Sequence, residues 1–379
     1  MASLGTHLTV LAGPTVPLPL PGPLAGRLRS ATVRETDTER SAFTLTFDAG
    51  RSGPGAAFDL PMLTTSPLRP GARVSLLLTV GAIPTVLADG FVTQVELTPG
   101  QAAGGAELVI TGEDVSWLLD KEEVNRERPL DDYPQVLAIL APYAAHGVIP
   151  MALPPMDMDP PLPIERVPQQ RSTDLQQLVD MAERHGYVTY AIPGPAPATS
   201  TFYWGPPVRV GVPQPAITID QPPYTNVTSP PTFRLDALSP VQVQGRDQDA
   251  RTNTDLPVRT VPPLRIPLSA MPLWATNAGD TRIRLVEQSG SSPVSTIARA
   301  QAEVDRRADA VVGEGQLDGA RYRGVLRPRG LVGVRGAGWS HDGLWYVRRV
   351  EHRLAPGSYT QSFTIARDGY GSTVPAVLP

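Results

Sequence analysis

Apolar and polar residues alternate with a period of two through most of residues 27–110. Phe43, Leu45 and Phe47 are separated by Thr44 and Thr46, and Val74, Leu76 and Leu78 by Ser75 and Leu77, with Thr79 beyond. Leu108 and Ile110 close the stretch. Successive side chains of a strand point to opposite faces, so this pattern predicts half-buried antiparallel strands. Turn-forming clusters at 50–55, 70–71 and 99–105 punctuate them. A small β-barrel or sandwich is the architecture such a segment implies.

The period then changes. Thr111 and Asp114 have capping-box-like spacing, and Val115, Leu118 and Leu119 follow at helical spacing. A helix opening at Thr111 is predicted, with Asp120, Lys121, Glu122 and Glu123 on its solvated side. Asp132 is placed to cap a second helix over 133–145, with Pro134 tolerated in the first turn. Its buried face is Val136, Ile139, Leu140 and Tyr143, and Gly147 ends it. After a proline-rich connector at 150–168, Leu175, Leu178, Val179 and Ala182 mark a third helix, about 173–185, stopped by Gly186. Tyr187, Thr189 and Ala191 read as the strand that follows it.

Proline and polar residues dominate 193–293, with strand candidates at 233–238 and 241–244. A fourth helix, about 295–310, carries Ile297, Ala300 and Val304 on one side. Strands follow at 316–326, 332–335, 344–354 and 359–367. Asp342-Gly343 signals a tight turn between the middle pair, and Pro356-Gly357 turns the last hairpin. The expected fold class is mainly β with an α/β insert. Two β-barrel-like domains, 1–112 and 225–379 (the second including helix 295–310), flank residues 113–224.

Composition narrows the function. Apolar residues make up 41% of the 379, enough for real cores. The net charge of -4 is scattered, and no basic block marks a nucleic-acid or membrane surface. Lys121 is the sole lysine. Cysteine is absent, which excludes disulfides, thiolate metal sites and cysteine nucleophiles. The apolar run from Leu8 to Leu24 is interrupted by Pro14, Pro17, Pro19, Pro21 and Pro23, and no basic residue precedes it. It therefore reads as an extended lead-in to a first strand, neither signal peptide nor membrane span, and synthesis is expected in the cytoplasm.

Candidate chemistry is sparse. His7, His146, His185, His341 and His352 lack metal-ligand spacing. His146 and His185 precede helix-ending glycines, where an imidazole suits the helix dipole. His341 falls in a turn, and His352 is expected to face outward on a strand. Asp157 and Asp159 read as polar connector residues, and the adjacent Glu122 and Glu123 point apart on the expected helix. No nucleophile elbow, phosphate loop or dinucleotide motif is present. The Asn226-Val227-Thr228 sequon lacks a secretory context. Trp339, Trp345 and Tyr346 read as hairpin packing rather than a sugar platform. No catalytic, cofactor or metal residue is expected.

Three stretches carry a family resemblance. The first is the C-terminal run Gly336-Ala337-Gly338-Trp339, Asp342-Gly343, Trp345 to His352 and Tyr359 to Arg367. The second is Thr111-Gly112-Glu113-Asp114 through Glu123, and the third is Thr173 to Tyr190 with Ala182-Glu183-Arg184-His185-Gly186. In this order they resemble the late control protein D family of phage tails. That family includes the hub halves of type VI secretion spike proteins and the hubs of extracellular contractile injection systems. The opening, Pro19 through Phe47, resembles the hub's first strands, while 193–293 matches poorly. The resemblance implies a homotrimeric, pseudo-six-fold baseplate adaptor between a hexameric inner tube and a trimeric spike. With no needle after the last hairpin, it implies a spike on a separate polypeptide. Other baseplate components are further partners; nucleic acid and membrane insertion are not expected. Interface candidates are Trp345, Arg348, Arg349, Tyr359, Phe363 and Arg367, with Arg348 and Arg349 on opposite faces of one strand. The alternative readings are a β-rich cell-wall glycan hydrolase, needing a carboxylate pair roughly 5–9.5 Å apart, or a carbohydrate-binding module.

Overall fold

Threonine alternating with large apolar residues leaves 42–48 one course, a strand with one dry face, and that strand sits in the middle of the main sheet. A computed structural model describes residues 5–14, 16–49, 67–99, 106–155, 169–239, 241–248, 254–276, 281–285 and 293–374. The strands are β1 (His7–Gly13), β2 (Leu18–Pro19), β3 (Leu28–Thr36), β4 (Ala42–Asp48), β5 (Arg73–Val80), β6 (Ile83–Thr98), β7 (Glu107–Asp114) and β8 (Glu123–Glu127). Next come β9 (Val148–Ala152), β10 (Gln169–Thr173), β11 (Val188–Pro193), β12 (Ser200–Gly205), β13 (Gln214–Thr218), β14 (Val227–Leu235), β15 (Val241–Gln248) and β16 (Asp255–Arg259). The last are β17 (Ser269–Pro272), β18 (Arg282–Leu285), β19 (Val311–Asp318), β20 (Leu331–Arg335), β21 (Gly343–Ala355), β22 (Ser358–Arg367) and β23 (Gly369–Ser372).

The chain is mainly β. Thirteen strands form one sheet whose path runs β14-β19-β22-β21-β3-β4-β7-β6-β5-β1-β2, with β20 joining β21 and β13. Among the described residues no pairing joins the two ends of this path, so the sheet is open where closed barrels were expected. Its central joint is β3 against β21, antiparallel from Arg349↔Thr36 to Leu354↔Ala31. That joint crosses between the N-terminal and C-terminal parts of the chain.

Each part keeps its own core. Phe43, Leu45, Phe47, Leu76, Leu78 and Ile110 pack together in the first, where Leu354 and Tyr359 also reach across the joint. Trp345, Val347, Val350, Phe363 and Ile365 build the C-terminal core. Gly112 is required where it stands, since a Cβ there would meet the Phe43 ring at 2.1 Å.

Between them, helix Asp174–Arg184 packs Leu175, Leu178, Met181 and Ala182 against Phe202 and Trp204 of β12. Thr173 caps it, its hydroxyl accepting from the Gln176 N–H at 3.2 Å, and Gly186 leaves it at φ 66°. Helix Asp132–Leu140, capped by Asp131 rather than Asp132, continues as a 3-10 turn to His146. Among the described residues no helix is long and apolar enough to cross a membrane.

Several sequence expectations need correction. No helix opens at Thr111: β7 runs on to Asp114, because Ala42↔Glu113 and Gly90↔Asp114 continue the ladder. The helix there is the single turn Ser116–Leu119. Glu123 then starts β8, so Glu122 and Glu123 do not share a helix. The 8–24 stretch is no lead-in: β1 pairs with β5 from His7↔Thr79 to Gly13↔Arg73. The strand placed at 316–326 starts at Val311 and stops at Asp318, whose carboxylate caps the turn Gly319–Tyr322. Asp342-Gly343 is not a two-residue turn; the loop spans 336–342 and is braced by the Ala337 N–H donating to Asp342 Oδ1 at 2.8 Å. On helix Pro293–Arg307, Ala300 and Val304 cover Val241, Val243 and Val258, whereas Ile297 is exposed. The 50–55 cluster, the 100–105 portion of the next one, and Asp157 and Asp159 lie outside the described residues.

Candidate functional site

Strand β3 places Ala31, Val33 and Glu35 on one face, all buried. A carboxylate at a core-facing position must be paired to stay charged. Arg327 does this: its Nη1 donates to Glu35 Oε1 at 2.8 Å and to the Leu87 carbonyl at 2.8 Å, and its Nη2 to the Val86 carbonyl. The other oxygen, Oε2, lies 3.4 Å from His352 Nε2. His352 Nδ1 and the Tyr359 hydroxyl are 3.0 Å apart. Burial works to raise the Glu35 carboxyl, but Arg327 and the adjacent His352 outweigh it and hold it below the usual carboxylate range. Burial pushes the His352 imidazole down, against the opposing pull of Glu35. His352 thus does not face outward as expected. It shares the inner face with Val350 and Leu354, where the β3 joint covers it completely.

Two further buried carboxylates tie other junctions. Asp309 accepts from Arg209 Nη1, Arg265 Nη2 and Arg348 Nη2, each at 3.0 Å. Burial opposes ionisation there, yet Arg209 and Arg265 bring its carboxyl down to about 2. Asp89 accepts from Arg73 Nε at 3.2 Å, Ser75 Oγ at 2.6 Å and Ser200 Oγ at 2.8 Å, linking the main sheet to β12. These groups are held by fixed partners. Among the described residues no cluster of three or more His, Asp or Glu could hold a metal.

The candidate interface residues divide. Trp345 is buried, its Nε1 donating to the His341 carbonyl at 2.9 Å, with the Arg367 guanidinium 4.4 Å from its ring centroid. Tyr359, Phe363 and Arg367 are buried as well. Arg348 and Arg349 sit at a β-bulge in β21, between the buried Val347 and Val350. Their side chains are 33% and 45% exposed, Arg348 on Asp309 and Arg349 on Glu351. The bulge, not alternation, therefore sets their directions. Trp339 is exposed but Trp345 is not, so the two cannot form a sugar-stacking platform.

A cleft of about 580 Å³ opens where three parts of the chain converge. Pro84, Thr85 and Val86 of β6 form one wall, and Met151, Tyr190, Ile192 and Tyr203 of the smaller sheet form another. Arg327, Pro328 and Arg329 line it as well, with Glu35 buried behind them. The sequence signal for Glu35 was present, an acid in phase with Ala31 and Val33. Asp309, Arg327 and Arg329 lie in irregular segments and carried no such signal.

No protein-family model matches the sequence, and neither does any curated protein. Among solved structures, the fold is similar to a tail protein from Neisseria meningitidis MC58, with TM-score 0.62, 12% identity and 97% of this chain covering 98% of that one. It is similar to the 43 kDa tail protein of prophage MuSo2 from Shewanella oneidensis, with TM-score 0.63, 12% identity and coverage of 96% and 99%. An E. coli component of the type VI secretion system, described as structurally similar to the T4 tail proteins gp27 and gp5, matches with TM-score 0.51 and 12% identity, covering 93% of this chain and 77% of that one. The fold is thus a phage-tail-protein fold, shared over nearly the whole chain.

Proposed function

We propose that this chain is a structural baseplate hub of a phage-tail-like contractile injection system. Three copies form a ring, joining a hexameric inner tube to a trimeric spike. The observation that carries the reading is the end-to-end likeness to tail proteins of nearly equal length. The internal construction supports it. A single sheet runs through both parts of the chain, and buried ion pairs pin its joints. Removing one partner of such a pair is far more costly than losing a surface pair, which suits a part that passes force during contraction.

The N-terminal part, 1–112, and the C-terminal part, 225–379, act as two similar modules per subunit, with 113–224 between them. Three subunits then present six modules to the tube and keep three-fold symmetry toward the spike. The edge strands β14 and β2 are covered by neighbouring copies, which removes open edges. Of the candidate interface residues, Arg348 and Arg349 are the ones with side chains left to offer a neighbour. The role is mechanical, not catalytic, and the protein works inside an assembled particle.

The test is reconstitution. Mixed with the inner tube and spike proteins of its own injection system, the purified chain is expected to form a stable three-component complex with three-fold image averages. A chain that stays separate from both contradicts the reading.

A further inference from the structure

Asp309 organises more than its three arginines. Two of them, Arg209 and Arg265, sit in segments of one pattern, Pro206-Pro207-Val208-Arg209-Val210 and Pro262-Pro263-Leu264-Arg265-Ile266. The pattern alone does not say that the two meet; the shared carboxylate does. Asp309 accepts from both arginines at 3.0 Å, and all three side chains are withdrawn from water, the arginines 14% exposed and the aspartate 1%. A third loop is tied to the same residue, with the Ser239 hydroxyl donating to the Asp309 carbonyl at 3.1 Å. What these three loops turn outward is aliphatic. Val210 is 64% exposed, Leu238 65%, Leu264 71% and Ile266 67%, with Val208 beside them at 37%.

We propose that this aliphatic patch, Val208, Val210, Leu238, Leu264 and Ile266, is the surface on which copies of this chain meet. The inference rests on the hub reading, in which three copies close a ring, and names the face they share. A chain folded only for its own sake keeps aliphatic side chains in and arginines out. Here the order is reversed, with the cations locked inside on one carboxylate and the aliphatics left in water. Such a patch marks a surface that is covered in the working form. Its electrostatics favour a copy as the cover. Asp37 lies in the field of Arg209 and Arg348, and Asp305 and Asp368 in that of Arg265, so the ground beneath the patch is close to neutral. A neutral aliphatic face does not repel its own image, and in a closed cyclic assembly equivalent faces converge around the axis. The contact is made by side chains, because Pro206, Pro207, Pro213, Pro262, Pro263 and Pro267 lack the N–H groups that an added strand would need. Arg348, a candidate for a neighbour on other grounds, is the third arginine on the same carboxylate.

The test uses the full chain and sedimentation velocity across a concentration series. Val210→Asp and Leu264→Asp alter side chains that already stand in water, so each variant is expected to fold as the native chain does, which thermal unfolding checks. The native chain is expected to be trimeric, and each variant to dissociate at concentrations about tenfold higher or more. Leu285→Asp, at a leucine 74% exposed on β18, is expected to leave the trimer unchanged. A native trimer that both patch variants retain, or that Leu285→Asp weakens as much as they do, overturns the inference without touching the hub reading. So does a patch variant that keeps the trimer but loses the tube or spike protein, since the patch then belongs to that partner. A native chain that is monomeric at every concentration overturns both.

Discussion

Glu35 of β3 and His352 of β21 meet inside the joint between the N-terminal and C-terminal parts of the chain, with Oε2 and Nε2 3.4 Å apart. Neither has an outlet to water, so each depends on partners contributed by distant sequence. Replacing Glu35 with alanine leaves Arg327, a quarter exposed and still bonded to the Val86 and Leu87 carbonyls, without its counter-charge. The expected loss is about 2–3 kcal/mol in urea unfolding, with Glu35→Gln losing less because its amide still accepts one hydrogen bond.

The same pair gives a pH dependence. Burial holds the His352 imidazole below its ordinary value, so the folded chain refuses a proton that the unfolded chain accepts near pH 6.5. Stability from this source is complete above about pH 6.5 and falls as the pH drops toward the folded value. The unfolding midpoint of the native chain is therefore expected to drop between pH 7 and 5.5, and that of His352→Gln to drop less. His341, also held down by burial and by Arg367, accounts for part of the residual slope. Parallel slopes for the two proteins would contradict the assignment.

Asp309 serves three arginines at once, from segments more than 35 residues apart. Asp309→Ala strands Arg209 and Arg265 in a buried setting and is expected to cost about 3–5 kcal/mol. Its carboxyl, down to about 2, contributes stability above the ordinary aspartate value that is lost as the pH falls through about 2. Urea titrations of the native and substituted chains at pH 7 and near pH 2 check both statements, since the difference between the two proteins should shrink in acid.

Position on β21 separates folding from assembly. Trp345→Ala removes a fully buried side chain and is expected to cost about 3–5 kcal/mol. Arg349→Gln removes a half-exposed arginine from the buried Glu351, which keeps Arg34 and Arg353 as partners, and is expected to change monomer stability by about 1 kcal/mol or less. If Arg349 lies in a subunit contact, that same variant weakens self-association. Thermal unfolding and sedimentation velocity on the two variants report the two effects separately.

The sequence was legible wherever one face of an element is dry. Phe43, Leu45 and Phe47 announced β4, and Leu175, Leu178 and Ala182 announced helix Asp174–Arg184 with its Thr173 cap. It misled where tertiary pairing overrode a local signal. The helical spacing of Val115, Leu118 and Leu119 produced only one turn, because Asp114 was already committed to the β4 and β6 ladders and its carboxylate accepts from the Ser41 N–H at 2.7 Å. His352 was assigned outward from strand alternation, although Val350 and Leu354 share its face and all three are buried. The convergence of Arg209, Arg265 and Arg348 on Asp309 had no sequence signature, since two of the arginines stand in irregular segments without periodicity.

The most direct measurement of the hub reading is the solution mass of the purified chain by light scattering across a concentration series. The account predicts a species near three times 40.5 kDa that persists on dilution. A mass of 40.5 kDa at every concentration, in the presence as well as the absence of the tube and spike proteins, would contradict it.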